Sequence, residues 1–166
     1  SVLVAMDDSG TELWQVRLTA ETLNTVALRS IDGVDGVFIA GDFQGTLEAD
    51  GPAGDLTMTS GTNRDGFVLQ VDALGGIRRI AQITDRTGSD EFQNITDMAV
   101  APDGVVFVIG TSRGDFATTR GGLSVLDTVP SGVFRFLLRI GGRGAAIETP
   151  GFWESVTADN ANVYLG

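Results

Sequence analysis

Two stretches of the chain carry nearly the same pattern. Residues 1–18 read SVLVAMDDSGTELWQVRL and residues 66–83 read GFVLQVDALGGIRRIAQI. Val2 stands against Phe67, Met6 against Val71, Asp7 against Asp72 and Gly10 against Gly75, sixty-five residues apart. Self-similarity at such a period marks a fold built by setting copies of one unit side by side, each covering its neighbour. Few architectures meet that demand.

The unit is made of strands. Phe67, Leu69 and Val71 alternate with Val68, Gln70 and Asp72, the period-two pattern of a half-buried strand. A second kind of run is apolar at every position, as in residues 105–109 (VVFVI) and 37–40 (VFIA), and such a strand needs cover on both faces. Between the runs lie DDSG, DGVDG, PDG and DNAN, residues that favour tight hairpin turns. Only TAETLN (19–24) tempts a helical reading.

Further copies align. TVALRSIDGVDGVFIAGDFQGTL (25–47) matches DMAVAPDGVVFVIGTSRGDF (97–116), pairing Phe38 with Phe107, Gly41 with Gly110 and Gly45 with Gly114. SVTADNANVYLG (155–166) is a third copy, with Val163 at the place of Phe107 and Gly166 at that of Gly110. GVFRFLLRI (132–140) is a looser partner of GFVLQVDAL, and Leu138 or Arg139 falls where Asp72 leads one to expect Asp. Each unit then has an inner hairpin, an excursion and an outer hairpin, giving four antiparallel strands. Such units predict an all-β fold, a β-propeller of four-stranded antiparallel blades. The glycines at 41, 110 and 166 are expected where backbones crowd, or at plain strand-ending turns.

The run from residue 60 to 116 resembles the SBBP-type bacterial β-propeller repeat. Its Asp65-Gly66-Phe67-Val68 and Asp72 follow a D-x-F-V-x-x-(L/V)-D strand, and residues 99–110 follow an A-V-D-x-x-G-x-V-x-V-x-G run. Residues 1–47 repeat the pattern with Trp14 in its aromatic place, while residues 112–166 depart from it. The resemblance implies an exported bacterial protein, extracellular or at the cell surface, with the periplasm as a variant.

On this register the chain opens with an outer hairpin (1–18), holds two complete blades (25–83 and 95–149) and closes with an inner hairpin (155–166). About three blades' worth of sequence would leave apolar faces and strand edges open. The expectation is therefore an arc of a larger ring, completed by remaining blades of the same polypeptide or by further copies of the chain. A start at Ser1 without Met or a basic-plus-apolar leader fits processing or a longer polypeptide. The longest apolar runs are too short for a membrane-spanning helix, and no membrane insertion is expected.

Composition narrows the chemistry. Sixteen Asp and six Glu face eleven Arg, and there is no Lys, giving a net charge of −11 over 166 residues. That charge repels phosphate backbones and anionic lipid, so no nucleic-acid partner is expected. The exclusive use of Arg reads as genomic base composition, with salt adaptation second. His and Cys are also absent, which removes Ser-His-Asp, Cys-His and zinc-thiolate chemistry, the P-loop and Schiff bases from this chain.

Four candidate functions remain. Asp32 and Asp35 in IDGVDG, with Asp7 and Asp8 in MDDSG, offer clustered oxygen ligands suited to calcium, the one cofactor the sequence allows for; capping of hairpin turns is the stronger reading of these acids. Glycan or small-molecule binding would use Trp153, since Trp14 reads as a packing residue. Arg135 and Arg139, opposite the apolar face of Phe134, Phe136, Leu138 and Ile140, suit an anionic ligand or, more simply, the aspartates of an adjoining blade. A glycosidase would need two converging carboxylates, and no acid sits in an apolar stretch suited to raising its pKa. The reading is a non-catalytic scaffold or adhesion module with a protein or glycan partner; the alternative is a lectin-like propeller assembled from more than one chain.

Overall fold

A computed structural model describes residues 1–30, 36–85, 92–113, 116–118, 133–141, 144–147, 156–158 and 163–165. Among them there is no helix, and all strand pairings are antiparallel. The first strands are β1 (Val2–Met6), β2 (Glu12–Thr19), β3 (Thr22–Ser30), β4 (Val37–Gln44), β5 (Thr46–Gly51) and β6 (Gly54–Thr59). Next come β7 (Asp65–Val71), β8 (Ile77–Asp85), β9 (Gln93–Val100), β10 (Val106–Arg113) and β11 (Phe116–Thr118). The last are β12 (Val133–Gly141), β13 (Gly144–Ile147), β14 (Val156–Ala158) and β15 (Val163–Leu165). The TAETLN stretch lies across the junction of β2 and β3, because its apolar neighbours on both sides are drawn into ladders.

Three sheets lie in series. The first has the order β1-β2-β5-β6, the second β3-β4-β7-β8 with the short β11 beyond β8, and the third β9-β10-β12-β13. A two-stranded hairpin, β14-β15, follows. The excursion hairpin β5-β6 leaves its own unit and pairs with β2, Arg17 opposite Asp50. In the same way β11, from the excursion after β10, pairs with β8. Each excursion therefore straps a unit to the outer strand of the one before it.

The second and third sheets repeat one detail closely. Gly41 lies opposite Phe67, and Gly110 opposite Phe136. On the other side of each glycine the ladder slips by one residue, at residue 26 and at residue 96. A Cβ at Gly41 would overlap the carbonyl oxygen of Asn24, and one at Gly110 that of Asn94. These glycines are needed for close backbone approach, not to end a strand. The equivalence also corrects the sequence alignment of β12. Phe136 is the counterpart of Phe67, so Gly141, not Leu138 or Arg139, occupies the place of Asp72.

Packing is face to face. Val16, Leu18, Leu47 and Met58 of the first sheet meet Ile39, Phe43, Phe67, Leu69 and Val71 of the second. Phe43 and Phe67 pack edge to face, ring centroids 6.1 Å apart, an arrangement worth about 0.5–1.5 kcal/mol beyond burial. The opposite face of the second sheet, with Phe38, Ala40, Val68 and Ile83, meets Ile95, Met98, Val108, Phe136 and Leu138 of the third. The far face of the third sheet carries Phe107, Ile109 and Leu137, and β14 lies against β9 and β10.

One strand differs from its sequence pattern. All seven positions of β7 are buried, although alternation suggested one wet face. Val68 points into the third sheet, and Gln70 is buried with the Arg78 guanidinium donating to its carbonyl oxygen. A neighbouring sheet covers the face that was expected to meet water.

Candidate functional site

The turns account for several of the acidic residues. In the β1-β2 turn the Asp7 carboxylate accepts from the Ser9 hydroxyl at 2.6 Å and from the N–H groups of Ser9 and Thr11, each at 2.9 Å. The Ser9 hydroxyl contributes most to holding its pKa below the usual 3.8, followed by the Thr11 N–H. In the β7-β8 turn Asp72 accepts from Leu74 and Gly76 in the same manner. Both turns close on a glycine in the left-handed region, Gly10 at φ 82° and Gly75 at φ 81°, which a side chain rarely adopts. Asp103 accepts from Val105 N–H in the β9-β10 turn, which ends on Gly104.

Trp14 is likewise engaged in structure. Its indole N–H donates to the Ala73 carbonyl at 2.9 Å, and its ring lies beside Gly75 in the turn of the next sheet. The side chain thus ties the first sheet to the second.

At the end of the sheets where the excursions leave, apolar packing gives way to buried polar groups. Asp42, 2% exposed, accepts from Asn24 Nδ2 at 3.0 Å and from Arg64 at 3.3 Å. Burial pushes its pKa above 3.8, and the Asn24 and Arg64 contacts offset part of that rise. Asp65, also 2% exposed, accepts from Gln82 Nε2 at 2.7 Å, and the same amide donates to the Thr59 carbonyl. The Ser60 hydroxyl accepts from Gly45 N–H. Gln93 is fully buried, and both of its side-chain amide atoms lack a hydrogen-bond partner among the described residues. An unpaired buried amide is costly, so this is the most polar and least satisfied region of the described core.

Asp42 corrects the expectation that no acid sits in an apolar stretch suited to raising its pKa, and Asp65 is a second buried acid in the same ladder. Asp42 follows Gly41 inside a strand whose six central residues are all buried; the run VFIAGDF carried that signal. The pair nonetheless does not form a hydrolytic site. Asp42 stands opposite Gly66 and Asp65 opposite Phe43, adjacent rungs of one ladder, so the side chains project from opposite faces of the sheet. Two carboxylates on opposite faces cannot flank one glycosidic bond.

A shallow hollow of about 330 Å³, lined by Gln15, Arg17, Asp50 and Gly51, lies on the outward face of the first sheet. That face also exposes Val2, Val4, Met6 and Leu13.

Asp32, Asp35 and Trp153 lie outside the described residues. Arg135 stands in β12 opposite Thr111, and its side chain is also outside the description. Arg139, half-buried in β12, stands opposite Phe107 and Ala146. Among the described residues no three acidic side chains cluster as a metal site would require.

Comparison with protein-family models, with curated proteins and with solved structures returns no match for this chain.

Proposed function

We propose that the chain is an arc of a β-propeller whose sheets form a non-catalytic interaction scaffold of an exported bacterial surface protein. The observation that carries this reading is the recurrence of one packed detail, Gly41 with Asn24 and Phe67, then Gly110 with Asn94 and Phe136, in successive sheets stacked face to face. Units that cover one another in this way gain stability chiefly from their neighbours, and closing the series on itself leaves no bare face. The exported setting rests on the likeness of residues 60–116 to the SBBP-type repeat. The non-catalytic reading draws support from the absence of His, Cys and Lys and from the employment of Asp7, Asp72 and Trp14 in turns and packing.

Electron microscopy of the complete natural polypeptide tests the ring. Class averages showing a toroid with a central channel are expected; an extended rod of sheets would contradict the reading. Turnover of a glycan or quinone-linked substrate at a rate abolished by one Asp or Glu substitution would contradict its non-catalytic part.

A further inference from the structure

We propose that the β14-β15 hairpin of one molecule completes the first sheet of a second copy, adding β15 to the open edge of β1. In both complete sheets the second strand of an inner hairpin, β4 or β10, pairs with the first strand of an outer hairpin, β7 or β12. β1-β2 is an outer hairpin with the same Asp-capped turn as β7-β8, yet among the described residues β1 pairs with β2 alone. β14 lies against β9 and β10 as β9 lies against β3 and β4. By that relation β14-β15 is an inner hairpin, and among the described residues β15 pairs with β14 alone. The two are complementary halves of one sheet on opposite sides of the stack, a fit that a second molecule would satisfy.

The edge is chemically ready. Ser1 and Leu18 exchange both backbone hydrogen bonds at 2.8 Å. Alternation along an antiparallel ladder then turns the N–H and C=O groups of Val2 and Val4 away from β2, an unpaired row that invites another strand. Carrying over the register of β4 and β7, in which Phe38 faces Gln70 and Ala40 faces Val68, sets Val163 opposite Ala5 and Leu165 opposite Leu3.

The exposed face fits the same partner. Val2, Val4 and Met6 are 54%, 37% and 62% exposed. Their repeat counterparts Phe67, Leu69 and Val71 are each 0% exposed, because a sheet precedes them. Once joined to β15, β1-β2 continues toward the side of β12 that carries Leu137, already buried within the chain, and the half-buried Arg139. Glu48 and Asp50, exposed on the face of the first sheet that carries Val2 and Val4, offer Arg139 opposite charge. Such a contact is heterologous, so it builds closed rings or growing chains of molecules.

Sedimentation velocity of the 166-residue chain over a wide concentration range tests this. Species above the monomer mass are expected, growing with concentration. Val4→Pro removes an outward N–H while leaving the β1-β2 hydrogen bonds intact; Met6→Glu adds a charge to an exposed side chain. Each is expected to return the protein to monomer with its β-sheet circular dichroism unchanged. Should Val4→Pro fail to fold, Met6→Glu decides alone. A wild type that stays monomeric, or an association that the folded variant leaves unchanged, would overturn the proposal. The inference rests on the equivalence of units underlying the propeller reading, not on ring closure: a monomer sinks the junction and leaves the toroid test standing, whereas a rod in the microscope sinks the ring and leaves the junction.

Discussion

Gly41 and Asp42 are neighbours that make opposite demands on the fold. Gly41 permits contact: its missing Cβ lets the Asn24 carbonyl and the Phe67 ring close in from two sides. Gly41→Ala, and equally Gly110→Ala, is expected to cost at least the upper end of the about 1–3 kcal/mol typical of overpacking, read as a lower urea midpoint. Asp42 imposes a cost through its buried charge. Its folded pKa lies above 3.8, so just above that value the folded chain holds a proton that the unfolded chain has released. Stability from this group therefore falls as pH rises through that window. Asp42→Asn cannot ionise, and its stability relative to wild type is expected to grow from acid to neutral pH and then level off. A difference that does not change with pH would show that folding leaves the Asp42 pKa unshifted. Asp7 has the opposite sign: its lowered pKa stabilises the fold above 3.8, and that contribution is lost as pH falls through the lowered value.

Strands and turns were the most legible elements. The Asp-x-x-Gly signatures at 7–10 and 72–75 mark real hairpin turns with Gly in the left-handed region. The fully apolar runs ending in Gly41 and Gly110 are strands buried on both faces. What period-two patterning could not supply was the destination of each strand. Nothing in TLEADG says that β5 leaves its own unit to pair with β2, because cross-unit pairing is decided by contacts remote in sequence. The all-buried β7 was missed for the same reason: Gln70 looks wet until the third sheet and Arg78 cover it. The buried acids were half-legible, since Asp42 stands in an apolar run but its partner Arg64 is twenty-two residues away. One comparison isolates the effect of cover. Leu69 and Val4 hold the same place in their hairpins, yet one is 0% and the other 37% exposed. Leu69→Ala is expected to cost about 2–5 kcal/mol, whereas Val4→Ala in the dilute monomer should stay within about 0.5 kcal/mol, both from chemical denaturation.

At the scale of the whole molecule, the sheets behave as a series in which the middle member is the best supported. Among the described residues the second sheet has an apolar neighbour on each face, while the first has one on a single face. In such an array local stability follows the number of covered faces. The repeat made this legible in outline, because an apolar strand without a wet face requires two neighbours. Hydrogen exchange on dilute monomer, resolved strand by strand, tests it most directly. The slowest amides are expected in β4 and β7, those of β10 and β12 next, and the fastest among the ladder amides in β1. A β1 protected as strongly as β7 under those conditions, or a β4 that exchanges as fast as the exposed turns, would contradict stacking as the source of stability.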